Sequence, residues 1–281
     1  MEDKISIIGG DLRIIKLAKL LENQGIQIST YGLEKSNEIQ ECQKSESIEN
    51  CLQNSKTVLS SIPFSKDGKY INAPFADTNI EVVQLFNKMQ NAKFIAGAIN
   101  KQIIEQVDIS KNIEIIDILQ NETLTIMNAI PSAEGAIQVA MEESQKTIHG
   151  SNILVMGFGR IGKILSKMLN GIGAKVYCEA RKDTDIAWIQ AYGYNSIKLS
   201  ELENYLPKFD FIFNTIPVMI LDKIKLKNVK QDCLIIDLAS NPGGIDFEAA
   251  RQLGIKTNWA LGLPRESCAR NGSTIYKKWN N

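Results

Sequence analysis

A glycine-rich turn in the middle of the chain has the residue types and the spacing of a dinucleotide site. Residues 152–162 are N-I-L-V-M-G-F-G-R-I-G, so an apolar run leads directly into Gly157, Gly159 and Gly162. The first glycine permits a tight turn, the second lets the backbone approach a pyrophosphate, and the third lets the following helix pack closely on its strand. Apolar residues then continue at helical spacing, which disfavours the alternative of a simple tight turn. The predicted cofactor residues of the turn are Gly157, Phe158, Gly159, Arg160, Ile161 and Gly162.

The end of the next predicted strand indicates which dinucleotide binds. In NAD sites an acidic residue at this place accepts hydrogen bonds from the adenosine ribose, whereas NADP sites offer arginine. Counting from Gly173 puts Ala180 at the acidic position, and Arg181 and Lys182 follow it. A 2′-phosphate would meet two cations there and no carboxylate, so we predict NADP, held by these three residues. Glu179 is the competing assignment for the acidic position, and a solvated strand end is the alternative role for the two cations.

Two later loops follow predicted strands at their carboxyl ends, where ligands bind in doubly wound sheets. One loop begins at Asn214 and the other runs from Ala239 to Gly244. We expect both loops to border the nicotinamide, and we expect Asn241 to contact the substrate. The predicted cofactor residues in these loops are Thr215, Ile216, Pro217, Ala239 and Ser240.

A second glycine turn lies near the start of the chain, at Gly9-Gly10-Asp11, but it lacks the third glycine. We therefore predict that it binds a carboxylate and no second dinucleotide. Gly10, Asp11 and Arg13 are the candidate substrate-binding residues, since an arginine can pair with a carboxylate through two hydrogen bonds. A surface arginine on the first helix is the alternative role for Arg13.

The elements that position these residues alternate between strand and helix. Predicted strands at 57–62, 93–99 and 113–119 follow a first β-α-β unit, and strands at 209–214, 233–238 and 256–260 follow the central one. We predict an α/β fold with two Rossmann-like doubly wound parallel-sheet domains joined by a long helix, similar to the architecture of 2-hydroxyacid dehydrogenases. The predicted domains are a flavodoxin-like or Rossmann-like substrate domain (1–125), an interdomain helix (126–149), an NADP-binding domain (150–264) and an atypical tail (265–281).

Composition excludes several classes of protein. Lysine plus arginine and aspartate plus glutamate both total 32, so no excess positive charge points to a nucleic-acid partner. The longest apolar runs are strand-sized, which argues against a membrane span, and we expect a cytoplasmic protein. The five cysteines include no C-x-x-C pair, so we predict no metal site and expect Cys178 and Cys233 to be buried. The lone histidine, His149, precedes the central strand, far from the expected ligand.

Several segments together resemble the A subunit of dipicolinate synthase. They are N-A-I-P-S-A-E-G-A-I-Q-V-A-M from residue 128, the G-F-G-R-I-G turn, E-A-R, N-T-I-P and D-L-A-S-N-P-G-G-I-D-F. The resemblance runs from Ile5 to about Pro264. It implies a pyridine-nucleotide-binding subunit that works with a flavoprotein-like second subunit in the mother cell of a sporulating bacterium. The implied reaction is NADP-dependent oxidation of a small dicarboxylate, a dihydrodipicolinate-type ring.

The resemblance also suggests residues for chemistry on the ring. Asn128, Ser132 and Glu134 lie in its most specific segment and are the candidate catalytic residues, as proton carriers or carboxylate binders. Alternatives to this function are a 2-hydroxyacid-dehydrogenase-like oxidoreductase and a non-catalytic NADP(H)-sensing module. The first alternative is disfavoured because this chain has no histidine after the glycine turn to act as acid and base. A homo-oligomer is compatible with all three.

The sequence departs from the family after Leu263 and Pro264. The family continues Gly-Lys-Val-Ala-Pro into a final helix, whereas this chain continues R-E-S-C-A-R-N-G-S-T-I-Y-K-K-W-N-N. Suitable codons for residues 265–276, shifted by one base, would restore the family pattern. We therefore interpret the tail as the result of a frameshift near Pro264, with a divergent tail as the alternative.

Overall fold

The computed structural model describes residues 4–260 and Leu263, except for the side chain of Cys42. These residues form two compact units that divide between Thr125 and Ile126. The predicted tail at 265–281 lies outside the described residues. The assignment of 1–125 to substrate and of 150–264 to NADP stays a prediction.

The first unit is a five-stranded parallel sheet in the order β2-β1-β3-β4-β5. This is the flavodoxin-like order, in which the chain reverses direction across the sheet between β1 and β3. Its elements are β1 Lys4–Ile8, α1 Leu12–Glu22, β2 Ile28–Tyr31, α2 Ile48–Leu52, β3 Ser55–Ser60, α3 Val82–Lys88, β4 Ala92–Ala96, α4 Lys101–Ile104 and β5 Ile113–Asp117. Short 3₁₀ helices occupy Glu41–Gln43, Ile109–Lys111 and Ile118–Gln120.

Local sequence accounts for the start of this unit. Asp11 caps α1 by accepting a hydrogen bond from the Arg13 N–H at 2.9 Å. The helix then buries Ile14, Ile15, Ala18 and Leu21 at helical spacing against the sheet. This packing fixes the beginning of α1 beside the turn that follows β1.

The second unit is a six-stranded parallel sheet in the order β11-β10-β9-β6-β7-β8. This is the Rossmann order, and the chain reverses direction between β6 and β9. Its elements are α5 Glu122–Glu143, β6 Asn152–Met156, α6 Arg160–Ile172, β7 Lys175–Ala180, α7 Asp183–Ala191, β8 Asn195–Lys198, α8 Leu202–Tyr205, β9 Phe211–Asn214, α9 Lys223–Leu226, β10 Leu234–Asp237, α10 Phe247–Gln252 and β11 Lys256–Trp259. The 3₁₀ helices are Leu199–Glu201 and Leu206–Lys208. The prediction of two doubly wound parallel sheets is confirmed.

The long helix α5 has other limits than the predicted segment 126–149. It begins at Glu122, because the Asn121 side chain accepts the Leu124 N–H at 3.0 Å and caps the helix. It ends at Glu143, since the Ser144 hydroxyl accepts the Lys146 N–H and turns the chain toward β6. Residues 144–149 are therefore not helical. Strand β8 was not predicted, because its only buried side chain is Ile197.

Candidate functional site

The three glycines of the central turn have separate structural roles. Gly157 has a φ of +89°, and a Cβ there would lie 2.5 Å from the Thr215 hydroxyl oxygen. A Cβ on Gly162 would come closer than 3.0 Å to the Gly157 carbonyl oxygen, so only glycine allows α6 to approach the turn this closely. At Gly159 no atom of the described residues lies within 4 Å of the Cβ position, which leaves space for a ligand.

The N-terminus of α6 is suited to an anion. Gly159 is its N-cap residue, no side chain among the described residues caps the helix, and its first turn carries no acidic residue. The N–H groups of an uncapped first turn, together with the helix dipole, attract a phosphate. Buried Leu165, Ser166 and Leu169 hold the helix against the sheet. The turn and the helix therefore have the features of a pyrophosphate site.

The side chains of the turn are divided between core and solvent. Phe158 is 5% exposed, packs in the core of the unit, and has Lys163 Nζ 5.6 Å from its ring centroid. Its role is to anchor the turn. Ile161 is half-buried, and Arg160 is exposed at the start of α6. The cofactor contact predicted for these three residues stays a prediction.

The end of β7 presents two cations to solvent. Arg181 and Lys182 are exposed, and Ala180 is buried. The contact with a 2′-phosphate that the sequence predicts for Ala180, Arg181 and Lys182 stays a prediction. Glu179, the competing assignment, is 0% exposed, and its carboxylate oxygens have no hydrogen-bond partner among the described residues.

Burial raises the pKa of the Glu179 carboxyl, while the nearby Gly157 N–H and the Arg181 guanidinium lower it by smaller amounts. The pKa of Glu179 is therefore raised overall. The strand register places Glu179 beside Met156 of β6 and Ile197 of β8, both of which are buried and apolar. The neutral carboxylic acid is the form that such a site favours.

We expect Glu179→Gln to stabilise the protein at neutral and higher pH but not in acid. A carboxyl whose folded pKa is raised contributes stability below its unfolded pKa, which is near 4.5, and loses it as the pH rises through the folded value. The glutamine side chain stays neutral, so the variant does not lose stability in this way as the pH rises. Urea unfolding of both proteins across this pH range measures the difference. Glu201→Gln, at an exposed position of the same unit, is the control. A pH-independent difference for Glu179→Gln would contradict the prediction.

The loops after β9 and β10 are joined by a buried polar network that includes the Asp237 carboxylate. Asp237 is 0% exposed and accepts the Asn214 side-chain amide at 2.8 Å, the Ala239 N–H at 2.9 Å and the Gly244 N–H at 2.8 Å. Asn214 also donates to the Ile216 carbonyl and accepts the Ile216 N–H. Each loop is therefore held by the other one.

This network places the loop after β9 against the glycine turn. The Thr215 hydroxyl donates to the Met156 carbonyl at 2.9 Å, directly before Gly157. Ile216 is half-buried and Pro217 is exposed. In the other loop Ala239 is buried, its carbonyl accepts the Trp259 indole N–H at 3.0 Å, and Ser240 and Asn241 are exposed. The structure thus brings Thr215 and Ile216 to the glycine turn. The contact of these two loops with the nicotinamide stays a prediction.

The glycine turn of the first unit is closed by protein groups. The Gly10 N–H donates to the Asn72 carbonyl at 3.2 Å. The Arg13 guanidinium pairs with the Asp11 carboxylate at 2.6 Å and also donates a hydrogen bond to the Ile62 carbonyl. The side chains of Arg13 and Asp11 are 16% and 28% exposed. A substrate carboxylate at Arg13 would compete with Asp11, which also caps α1. The two predicted substrate-binding side chains therefore bind each other in this structure.

The three candidate catalytic residues do not share one face of α5. The Ser132 hydroxyl is buried and donates to the Asn128 carbonyl of its own helix at 3.0 Å. Glu134 is exposed and Asn128 is half-buried. Residues two apart on a helix lie on nearly opposite sides, so Ser132 and Glu134 cannot act on the same atom from this helix. Their catalytic role stays a prediction.

Two family models divide the chain between them. Residues 4–119 match the N-terminal domain of the dipicolinate synthase A subunit, and residues 124–242 match the NAD-binding domain of D-isomer-specific 2-hydroxyacid dehydrogenases. The dipicolinate synthase A subunit of Bacillus subtilis (strain 168) is 28% identical over 263 residues, which are 93% of this chain and 89% of that protein. The crystal structure of the corresponding subunit from Bacillus halodurans matches with a TM-score of 0.88 at 26% identity, covering 100% of this chain and 97% of that one. This chain is related to the A subunit of dipicolinate synthase.

The resemblance to dipicolinate synthase that the sequence indicates is therefore confirmed. The second unit is a pyridine-nucleotide-binding domain of the oxidoreductase type. A more distant relative is the NADP(+) shikimate dehydrogenase of Methanococcus vannielii, 25% identical over 247 residues, which are 78% of this chain and 73% of that protein.

Other candidate groups lie away from the nucleotide site of this dipicolinate synthase relative. Cys178 and Cys233 are buried as predicted, and burial raises the pKa of each thiol to about 12. His149 is exposed and lies against Gly173, just before β6 and β7 begin. Within residues 4–260 and 263 no three His, Cys, Asp or Glu side chains are arranged to hold a metal ion. No helix in that part of the chain has the length and apolarity needed to cross a membrane.

Sequence analysis missed the residues that organise the loops. Asp237 and Asn214 are 23 positions apart, and each looks like the polar end of an apolar strand. A usable signal was present, because both strands end in a polar residue directly before a loop predicted to border the ligand. In adjacent parallel strands such residues are register partners, and here Asp237 pairs with Asn214.

Proposed function

We propose that this chain is the NADP-binding subunit of a dipicolinate synthase, oxidising a dihydrodipicolinate-type ring to dipicolinate during sporulation. Its proposed partner is a flavoprotein-like second subunit, and its proposed location is the cytoplasm of the mother cell. One observation carries the proposal. An open glycine turn leads into the uncapped N-terminus of α6 at the point where the strand order reverses.

Each part of the cofactor has a proposed binding group. The backbone of the turn and of the first turn of α6 would bind the pyrophosphate, and Arg181 and Lys182 would bind the 2′-phosphate. The joined loops would flank the nicotinamide through Thr215, Ile216, Pro217, Ala239 and Ser240. When bound, NADP supplies the acceptor for a hydride from the ring. The Asp237 network keeps these loops in place for that transfer.

The substrate is a ring that carries two carboxylates. Its aromatisation needs the loss of a hydride and of a proton, and the aromatic product makes the reaction favourable. We propose Gly10, Arg13 and Asn241 for substrate binding, and Asp11 as the carboxylate that a substrate carboxylate displaces from Arg13. The proton would pass to Glu134, the exposed carboxylate among the three candidate catalytic residues, and Asn128 and Ser132 would bind the ring carboxylates.

The proposal is tested by following the ultraviolet absorbance of dipicolinate. The intact chain is mixed with the candidate flavoprotein-like partner and with freshly made aldol product of pyruvate and aspartate semialdehyde, and NADP is compared with NAD. Dipicolinate that forms only with both proteins, and faster with NADP, is the expected result. Dipicolinate formation by the partner in the absence of this chain would contradict the role proposed here.

Replacing both Arg181 and Lys182 with alanine should weaken NADP binding by about 10- to 100-fold and leave NAD binding nearly unchanged. A charge-assisted hydrogen bond is worth about 1.5–3 kcal/mol, and because solvent screens these two exposed cations, we expect both together to contribute about as much as one such bond. Only NADP carries the 2′-phosphate. Calorimetric titration of the purified chain with each nucleotide measures this. Lys175→Ala, an exposed cation at the opposite end of β7, is the matched control. Equal losses for NAD and NADP would exclude a contact with the 2′-phosphate.

A 2-hydroxyacid-dehydrogenase-like oxidoreductase is the second candidate, favoured by the family match over residues 124–242. That chemistry relies on a histidine as acid and base. The only histidine of the sequence is His149, which lies against Gly173 away from the glycine turn. Oxidation of 2-hydroxy acids by the chain alone, with no activity on the ring, would favour this candidate. Nucleotide binding without turnover of either substrate would favour an NADP(H)-sensing module.

A further inference from the structure

Glu179 is a buried carboxyl group that lacks a hydrogen-bond partner. It is 0% exposed, and neither oxygen is hydrogen-bonded to any residue that the structure describes. An unpaired polar group in the interior is costly, and such groups in native proteins commonly mark a functional role. Nothing in the packing of β7 requires an acid, because Met156 and Ile197 on either side are apolar.

This carboxyl lies under the nucleotide site. The main-chain carbonyl of Glu179 accepts the Gly157 N–H at 3.1 Å, which ties the residue to the first glycine of the turn. Ala180 follows it, and then come Arg181 and Lys182, proposed to bind the 2′-phosphate. The Gly157 N–H and the Arg181 guanidinium each lower the pKa of this carboxyl, against the larger rise that burial causes. A charge on Glu179 would therefore act on the same groups that meet the phosphate.

We propose that Glu179 is a specificity-determining residue, and that the binding of a nucleotide 2′-phosphate is linked to the protonation of its side chain. The inference rests on the proposed NADP site. The neutral acid leaves Arg181 and Lys182 free to neutralise the phosphate. The ionised carboxylate attracts Arg181 and repels the phosphate, and burial makes both effects stronger than they are in water.

The surroundings contain few other groups that could produce this dependence. Strands β6 and β8 contribute Met156 and Ile197, which do not titrate, while β7 contributes Tyr177 and Arg181. Tyr205, at the end of α8, packs against the same apolar cluster as Tyr177. The acidic residues of the segment after β8, Glu201 and Glu203, are exposed. Among these residues of the described structure, Glu179 is the buried carboxyl group, and burial raises its pKa.

Linkage makes the effect reciprocal. If protonation of Glu179 strengthens 2′-phosphate binding, then binding of NADP raises the proton affinity of Glu179. NADP binding is therefore accompanied by proton uptake at a pH where Glu179 is partly ionised. NAD binding is not, because NAD has a hydroxyl where NADP has the phosphate.

The test is calorimetric titration of the intact wild-type chain and of Glu179→Gln with NADP and with NAD, from about pH 5.5 to about pH 8.5. Gln keeps the shape and removes the charge. The ionisation of the 2′-phosphate itself is the same in both proteins, so the ratio of their Kd values isolates Glu179. With NADP, the Kd of the wild type divided by the Kd of the variant should rise about tenfold as the pH is raised. This is the size expected for repulsion between the Glu179 carboxylate and a phosphate several ångströms away. With NAD it should change by less than about twofold.

Several results would overturn the inference. One is a ratio of wild-type to variant Kd for NADP that does not change with pH. Another is a ratio that rises with pH by the same factor for NAD as for NADP. If Glu179→Gln weakens NAD binding at every pH, then Glu179 accepts the ribose hydroxyl and the site is an NAD site. Failure of both proteins to bind either nucleotide would instead refute the proposed cofactor site, and the inference with it.

A second measurement needs only the wild-type protein. The heat of NADP binding is measured at about pH 8, where the 2′-phosphate of free NADP is already doubly ionised. Two buffers with different ionisation enthalpies are compared, and the difference in heat gives the number of protons that the protein takes up. We expect net uptake with NADP that exceeds the uptake with NAD. Equal values for the two nucleotides would overturn the linkage even if the variant did not fold.

Discussion

Asp237→Ala should destabilise the second unit by about 3–5 kcal/mol, because its removal leaves several buried donors without a partner. Those donors are the Asn214 amide and the N–H groups of Ala239 and Gly244. Urea unfolding near pH 7 measures the loss. Asp183→Ala is the control, since its carboxylate is exposed and pairs with Lys198 at the surface, so its loss should change stability little. A change of less than about 1 kcal/mol for Asp237→Ala would contradict the network.

A double-mutant cycle separates the contact between Asp237 and Asn214 from the other hydrogen bonds. Once Asp237 is absent, Asn214→Ala removes a donor that has already lost one of its two acceptors. We therefore expect the two changes together to cost less than their sum. If the free-energy change of the double variant equalled the sum of the two single changes, the two loops would be held independently of each other.

Gly162→Ala should lower the affinity for NADP about 5- to 150-fold, equivalent to the 1–3 kcal/mol that overpacking typically costs. The added Cβ would come closer than 3.0 Å to the Gly157 carbonyl, so either α6 or the turn must move. Both of these elements are proposed to bind the pyrophosphate. Calorimetric titration with NADP measures the affinity.

Gly171→Ala is the control on the same helix. Its Cβ would meet no described atom within 4 Å, and an alanine within a helix is more stable than a glycine by up to about 1 kcal/mol. We expect this variant to gain stability and to bind NADP with unchanged affinity. Equal affinity for Gly162→Ala and the wild type would show that close packing of α6 is not needed for nucleotide binding.

The parts of the site that depend on local rules were predictable from the sequence. The central glycine turn and its helix followed from three glycines placed between an apolar strand and an amphipathic helix. The parallel sheets of both units followed from alternating strands and helices. Each of these features depends on residues that are close together in the chain.

The remaining features depend on partners that the sequence does not reveal. The capping of α5 by Asn121 and the turn at Ser144 set helix limits that apolar spacing alone did not indicate. The pairing of Arg13 with Asp11 was missed because an arginine near a helix start was interpreted only as a ligand group or a surface residue. Glu179 was recognised as a competing assignment for the acidic position, but its isolation among apolar neighbours emerged only from the strand register.

The central claim is that the ring transfers its hydride to NADP bound by this chain. The most direct measurement uses ring substrate that carries deuterium at the carbon losing the hydride, with both proteins and NADP present, followed by mass spectrometry of the NADPH. We expect one deuterium in each NADPH and an equal amount of dipicolinate. Dipicolinate formed without deuterated NADPH would contradict the claim and would assign the oxidation to the flavoprotein-like partner.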